Sequence, residues 1–373
     1  MREIAVEATT VLVMAAGTGG HVFPALSITE VLKNRSVNVE WLGTPGGMEN
    51  KLLENYDIKL HQISVRGLRG ACLQRKFLAP FMLIGAFVQS IVVIWRVNPH
   101  CVLGMGGFVC GPAGVAAKFL RKPLLIHEQN AVAGLTNRLL SKIANRVFES
   151  FPGTFTAHKK VRHTGNPLRQ DIVRLHKLAE SSSESAKDKS LHILILGGSQ
   201  GAAAINQLIP ELLVNWHGRN NLKVLHQTGS ANLQESRKLY QSLGVDFTED
   251  CRVVDFIDDM ATAYKWADLV ICRAGASTVS ELAAAGKTAI LIPYPYHRDH
   301  QQTLNAQWLS SAGAGYLLQQ ADMSAKSVLE IIAELDADRE KLVEISRRAR
   351  ALAICDASEV IAMECMEFAN VAH

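Results

Sequence analysis

The feature that most constrains this chain is a repeated opening. An apolar segment running into a glycine-rich turn occurs twice, as Ala15-Ala16-Gly17-Thr18-Gly19-Gly20-His21 and as Leu196-Gly197-Gly198-Ser199-Gln200-Gly201-Ala202. A strand that ends in glycines and passes directly into a helix is the βα turn of a Rossmann-like domain. Each opening heads a series of near-continuous apolar runs, as expected of parallel strands covered on both faces. The first series falls at 10–15, 37–42, 59–64, 101–105, 124–127 and 146–148. The second falls at 191–196, 223–227, 252–256, 269–272, 289–293 and 315–318. The two openings lie about 180 residues apart, which indicates two such domains rather than one long sheet. A length of 373 residues likewise suits two α/β domains better than one core. The expected divisions are 8–168 and 169–345, followed by a helical segment, 346–373, expected to pack back on the first domain. Residues 179–190, AESSSESAKDKS, carry no apolar period and read as an exposed loop near the boundary.

Composition excludes several classes. A formal charge of +4 is small for this size and lacks the dense basic stripe of a nucleic-acid binder. The seven cysteines are odd in number and nowhere form CxxC, which fits a reduced interior better than a disulfide framework or a zinc site. The start, MREIAVEATT, has no apolar leader pattern, so a cytoplasmic location is expected. One segment complicates that reading. Residues 77–95 contain only Gln89 and Ser90 as polar members and are long enough to span a bilayer. A span there would pull two strands of one parallel sheet to opposite sides of a membrane, against the rules of connection. A buried crossover helix and a helix with one membrane-facing side are the other readings. Arg66, Arg69, Arg75 and Lys76 precede the segment and Arg96 follows it.

Three turns carry the candidate chemistry. In the first, glycines let the backbone approach a ligand while the following helix directs free N–H groups at it. The spacing is not GxGxxG, which weakens a dinucleotide reading. His21, at the helix start, is placed to exchange protons. In the second, backbone amides and the Ser199 hydroxyl can hold a phosphate oxygen. The third, Cys272-Arg273-Ala274-Gly275-Ala276-Ser277-Thr278-Val279-Ser280-Glu281, follows an apolar strand. There Glu281 reads either as a capping carboxylate or as the acceptor for a ribose diol. His127-Glu128-Gln129-Asn130 ends another strand, and Arg169 closes the first series where it can pair with phosphate. Asp336-Ala337-Asp338 imitates a metal-binding DxD but reads as a solvated helix face. His297, Asp299 and His300 fit no standard ligand spacing.

Taken together the chain resembles the MurG family. The resemblance rests on GTGGHVFP, LRG at 68–70, GMGGFVCGP at 104–112, HEQNAVAGLTN at 127–137, TGNPLR, GGSQGA, FIDDM at 256–260 and CRAGASTVSEL, in that order. It implies an α/β protein of GT-B architecture, two Rossmann-like parallel-sheet domains facing across a cleft. It further implies inverting transfer of N-acetylglucosamine from UDP-N-acetylglucosamine to undecaprenyl-diphospho-N-acetylmuramoyl-pentapeptide, the lipid I of peptidoglycan precursor synthesis. The first domain would serve the acceptor and membrane, the second the UDP-sugar. The implied location is the cytoplasmic side of the inner membrane, attached peripherally, with anionic lipid as a partner and no nucleic acid. No cofactor and no metal are implied. Carried over residue by residue, donor contacts fall to Thr18, Gly19, Gly20, Asn130, Arg169, Ser199, Ile257, Ala276, Ser277, Thr278, Val279, Ser280, Glu281 and Gln302. Ile257 would meet uracil through its backbone, Glu281 the ribose and Gln302 the sugar hydroxyls. Two departures stand out: Ala16 occupies a usual glycine position, and the 294–302 loop is one residue longer than the common form, so Gln301 remains the alternative to Gln302.

A charged leaving group such as UDP can be stabilised by loop amides and helix dipoles without a metal. The acceptor hydroxyl then needs one base. His21 is the first choice for it, with Glu128 as rival or orienting partner. A nucleotide-sugar epimerase or NAD-linked oxidoreductase on the same two-domain plan is the competing class, and a non-catalytic membrane scaffold is a third.

Overall fold

Apolar runs flanked by helices become parallel strands here because each must bury both faces. The computed structural model describes residues 9–67, 73–180, 190–198, 201–218, 222–297 and 299–371, without the side chains of 73–77, 179–180 and 371. The LRG tripeptide, Ser199, Gln200 and most of the 179–190 stretch therefore lie outside the described residues. Residues up to Arg169, together with those from Cys355 on, form one unit, and Gln170–Ile354 form the other.

In the first unit β1 (Thr10–Met14), β2 (Asn38–Gly43), β3 (Lys59–Gln62), β4 (Cys101–Gly104), β5 (Leu124–Glu128), β6 (Arg146–Glu149) and β7 (Val161–His163) make one parallel sheet. Its order is β3-β2-β1-β4-β5-β6-β7. Helices α1 (Gly19–Asn34), α2 (Met48–Leu53), α3 (Leu73–Val97), α4 (Cys110–Phe119) and α5 (Leu135–Leu140) link the strands. The second unit begins with α6 (Gln170–Glu180) and holds β8 (Leu191–Leu196), α7 (Ala203–Val214), β9 (Leu222–Gln227), α8 (Leu233–Ser242) and β10 (Cys251–Val254). It continues with α9 (Met260–Trp266), β11 (Leu269–Cys272), α10 (Ala276–Ala285), β12 (Thr288–Leu291), α11 (Gln301–Ser310) and β13 (Tyr316–Leu317). Helices α12 (Ala325–Ala337) and α13 (Arg339–Ala351) close that unit, and α14 (Ala357–Val371) belongs to the first. The second sheet runs β10-β9-β8-β11-β12-β13, all parallel.

Both sheets reverse direction beside their first strand, between β1 and β4 and between β8 and β11. A doubly wound sheet opens its ligand crevice at such a switch point, beyond the strands' C-terminal ends. The glycine turns stand at those ends.

The chain returns to its first unit through α14. Ile361, Ala362, Cys365 and Ala369 enter a core with Val11, Val13, Ile28, Leu32 and Phe148. Buried Glu364 accepts from Arg146 Nε and Arg162 Nη1, both at 2.8 Å, which ties α14 to the β6–β7 edge. Of the Asp336-Ala337-Asp338 triplet, Asp338 is exposed, as a solvated face requires, whereas Asp336 is not. Asp336 is buried against Arg339 at 2.7 Å, and Asp338 caps α13 by accepting the Lys341 N–H at 2.9 Å. The corner between two packed helices, invisible in a three-residue pattern, gives both carboxylates structural work.

Two buried histidines hold the strand ends in place. His127 lies 3.1 Å from the Gly165 carbonyl, and burial pulls its pKa down to about 4. His226 bridges Tyr240 Oη at 2.8 Å and Asn206 Oδ1 at 3.1 Å, and burial pulls it down to about 3. Both stay neutral in the fold while the unfolded chain takes up protons below about pH 6.5. Stability is therefore complete above that pH and is lost as pH falls toward the folded values. At pH 5 each histidine should cost its unit about 2 kcal/mol. Thermal unfolding from pH 7 to pH 5 checks this: His226→Gln should flatten the fall in the second unit's transition, and an unchanged slope would refute the assignment.

Candidate active site

In the first unit the backbone sets the site before any side chain does. Gly17 has φ of 101°, a left-handed conformation that suits glycine. Thr18, the N-cap of α1, makes no side-chain capping bond, and the first turn carries no acidic residue. The leading N–H groups of Gly19 and Gly20 thus form an open, positively polarised helix end. The β4 exit closes over this turn. A Cβ on Gly106 would lie 2.5 Å from His21 Cδ2, and one on Gly107 would lie 2.4 Å from the Ala16 carbonyl oxygen. The GMGG motif needs its glycines because the imidazole and the first turn fill that space. Buried Cys110 accepts the Gly106 N–H at 3.2 Å and lies 3.3 Å from the Met14 carbonyl. Burial pushes this thiol up to about 12, so it remains a protonated strut.

His21 is half-buried, with its ring packed against Gly106. Nδ1 lies 3.4 Å from Thr18 Oγ1. Burial lowers its pKa from the ordinary value, while the Glu128 charge and the Ala16 backbone offset part of that. The imidazole is therefore neutral near pH 7, the form that accepts a proton.

Glu128 is 4% exposed and its oxygens are already engaged. Oε1 accepts from Asn130 N at 3.1 Å, and Oε2 accepts from Gly134 N at 3.0 Å and Asn137 Nδ2 at 2.9 Å. A carboxylate holding these neutral donors orders the 128–137 loop and supplies a fixed charge to His21. To act as a base it would have to release them. Asn130 is positioned through the same carboxylate, at 3.4 Å from its Nδ2. The Arg169 guanidinium stacks 5.9 Å from the centre of the Phe23 ring. Phe23 in turn packs against Gly19, whose added Cβ would meet it at 3.0 Å. Thr18, Gly19, Gly20, His21 and Arg169 are thereby gathered around the α1 N-terminus.

In the second unit Gln227 grips the turn after β8. Its Oε1 accepts the Gly198 N–H and its Nε2 donates to the Gly198 carbonyl, both at 3.1 Å. A Cβ on Gly201 would sit 2.6 Å from the Thr228 carbonyl, so Gly201 lies flat on the β9 exit. Helix α10 starts at Ala276 with Gly275 as N-cap, no side-chain cap and no acidic residue in its first turn. Glu281 is its sixth residue, past the reach of a cap, and Oε2 accepts from the buried Tyr264 hydroxyl at 3.0 Å. The capping alternative is set aside. Ser277 Oγ is buried and has no hydrogen-bond partner among the described residues. Ile257 stands half-buried just beyond β10, and Asp259 caps α9 through the Thr262 N–H at 2.9 Å, giving the FIDDM motif a structural member. Gln302 Oε1 accepts from Tyr294 N at 2.9 Å, while Gln301 Nε2 lies 3.0 Å from His297 Nδ1.

Comparison with known proteins places this geometry. Residues 11–149 match the Glycosyltransferase family 28 N-terminal domain and residues 192–361 its C-terminal domain. A UDP-N-acetylglucosamine--N-acetylmuramyl-(pentapeptide) pyrophosphoryl-undecaprenol N-acetylglucosamine transferase from Cellvibrio japonicus is 48% identical, over 97% of this chain and 99% of its own. The crystal structure of Acinetobacter baumannii MurG superposes with a TM-score of 0.79 at 38% identity, covering 96% of this chain and 99% of that one. A UDP-GlcNAc 2-epimerase from Neisseria meningitidis, solved bound to UDP-GlcNAc, shares the fold at 15% identity and a TM-score of 0.65, over 96% of this chain and 100% of that one.

Proposed function

This chain belongs to the MurG family within glycosyltransferase family 28, and from that premise we propose that it moves N-acetylglucosamine from UDP-N-acetylglucosamine onto undecaprenyl-diphospho-N-acetylmuramoyl-pentapeptide. The observation that carries this reading is near-full-length similarity to transferases of that name, with glycine turns at both switch points. In this reading the second unit holds the donor. The α10 N-terminus and the Ser277 hydroxyl meet the diphosphate, the Glu281 carboxylate accepts from the ribose diol, and Ile257 meets uracil. The first unit serves the acceptor, with His21 as the base and Glu128 as the charge behind it. Charge developing on UDP is met by the fixed α10 donors of the second unit, and Arg169 and the α1 amides give the first unit positive potential of its own. The acceptor hydroxyl passes its proton to the His21 imidazole as its oxygen bonds to the anomeric carbon and UDP departs, with inversion.

The epimerase relatives of this fold set the discriminating test. Transfer predicts UDP release that depends on an added short-chain acceptor analogue. Epimerisation predicts a changed sugar nucleotide without any acceptor, and that result would replace this reading.

Membrane attachment follows from α3. Leu78–Val97 is a helix long and apolar enough to cross a bilayer, with mean hydropathy 2.1. Yet α3 connects β3 to β4, parallel strands of one sheet, so it is a crossover helix with its inner side on the domain. Ala86, Ser90 and Ile94 face inward, whereas Phe81, Ile84 and Trp95 are 70%, 61% and 73% exposed. Phe119 of α4 and Leu135 and Leu139 of α5 are exposed as well. An apolar surface of this kind suits the headgroup boundary, and exposed Arg66 and Arg96 suit anionic lipid. The proposed location is peripheral, on the cytoplasmic side of the inner membrane. Replacing Phe81, Ile84 and Val88 by Asp should cut binding to anionic vesicles by at least about tenfold, and salt should weaken the remainder. Co-sedimentation that ignores lipid charge, salt and the substitutions would contradict peripheral docking.

A further inference from the structure

Arg273, just past β11, is a half-buried cation whose fork grips the exit of the neighbouring strand. Its Nη1 donates to the Ile292 and Pro293 carbonyls, both at 3.2 Å, and its Nη2 donates to Gln320 Oε1 at 2.7 Å. Its guanidinium carbon stands 5.7 Å from the centre of the Tyr294 ring. One side chain thus holds three consecutive residues where the chain leaves β12. Tyr294 carries the grip further. Its N–H donates to Gln302 Oε1 at 2.9 Å, and its ring meets the His297 ring edge-on at 5.0 Å. We propose that Arg273 is a positioning residue for donor-sugar recognition: it fixes the β12 exit so that Tyr294 holds Gln302 with its amide nitrogen turned to donate to a sugar hydroxyl.

A backbone N–H can only donate, so the Tyr294 bond decides how the Gln302 amide faces. Its oxygen is spent on Tyr294, and Nε2, which makes no hydrogen bond among the described residues, is left for a ligand. Gln301 has the opposite assignment, since its Nε2 lies 3.0 Å from His297 Nδ1. The α11 N-terminus needs outside support of this kind. His300, its N-cap, has φ of 48°, a left-handed conformation unfavourable for a residue with a Cβ. Asn305, one turn into α11, anchors the helix itself by donating to the Ala274 carbonyl at 3.1 Å. The Arg273 side chain therefore governs the strand exit rather than the helix. Arginine suits the task because its planar fork reaches two carbonyls and an amide at once and still stacks on an aromatic ring. A cation beside the α10 turn could instead serve the diphosphate by charge alone, and the two roles predict different losses.

This inference rests on the second unit being the donor site with Gln302 at the sugar, and the test separates the two claims. Calorimetric titrations with UDP and with UDP-N-acetylglucosamine give the share of affinity that depends on the sugar. Arg273→Met keeps the length but removes every donor. It should weaken UDP-N-acetylglucosamine about tenfold and UDP less than about twofold. Arg273→Lys should behave like Arg273→Met, because lysine keeps the charge without the fork. In a Gln302→Ala background Arg273→Met should cost less than about twofold further, since the two residues act in series. Gln320→Leu releases only Nη2, should weaken the sugar nucleotide about threefold, and serves if the Arg273 variants fail to fold. Equal weakening of UDP and its sugar derivative, rescue by lysine, or full additivity with Gln302→Ala overturns the proposal. So does unchanged sugar-nucleotide affinity in Arg273→Met or, where that does not fold, in Gln320→Leu. Unchanged sugar-nucleotide affinity in Gln302→Ala would instead overturn the sugar-contact reading beneath it.

Discussion

Replacing His21 by alanine is expected to depress kcat by about 10²–10⁴-fold, the usual contribution of a general base, while leaving UDP affinity nearly intact. The ring is neutral near pH 7, and Gly106 is pressed against it so closely that no side chain fits between. Its pKa, lowered chiefly by burial, puts the loss of activity on the acid side: turnover is full above that pKa and falls as the ring is protonated. Glu128 raises the His21 pKa, so Glu128→Gln should shift the acid limb to lower pH and weaken the base. Steady-state profiles of both variants decide the matter. A larger kcat loss for Glu128→Gln than for His21→Ala would exchange their roles, although the bonds from Asn130, Gly134 and Asn137 argue against a free Glu128 carboxylate.

The second large effect belongs to Glu281. Its carboxylate lies past the first turn of α10 and is steadied by the Tyr264 hydroxyl. Charge-assisted bonds to a ribose diol are worth about 1.5–3 kcal/mol, so Glu281→Ala should lose about 10- to 100-fold in donor kcat/KM. Tyr264→Phe, which removes only the steadying hydroxyl, should lose several-fold. Calorimetric titration with UDP is the check. Unchanged affinity in a folded Glu281→Ala protein would remove the residue from the donor site.

The two doubly wound sheets were legible in the sequence because parallel strands buried on both faces print themselves as apolar runs and because glycine turns mark where each sheet begins. Strand β7 was not. Val161–His163 is a short edge element with two exposed members, so it carries no apolar run. The switch-point turns were legible for the same reason as the strands, yet their supports were hidden. Glu49 sits on a six-residue helix and reaches Gly17 only after α2 folds beneath β1. Gln227 reads as an ordinary strand end until its amide is seen holding Gly198. Likewise the Glu281 ambiguity could not be resolved from spacing, since Tyr264 lies on another helix and only packing brings it near. Local pattern reveals where backbone must turn, whereas the partners that hold a turn come from distant elements whose approach is a property of the packed core.

The central claim is sugar transfer to a lipid-linked acceptor by protein groups alone. The direct measurement offers UDP-N-acetylglucosamine labelled in the sugar, with a short-chain lipid I analogue and EDTA, and follows label into the disaccharide-lipid product. The account predicts labelled disaccharide in the presence of EDTA, formed at least about a hundredfold more slowly by His21→Ala. Label that stays in sugar nucleotide, or product that forms only after Mn²⁺ is restored, would contradict it.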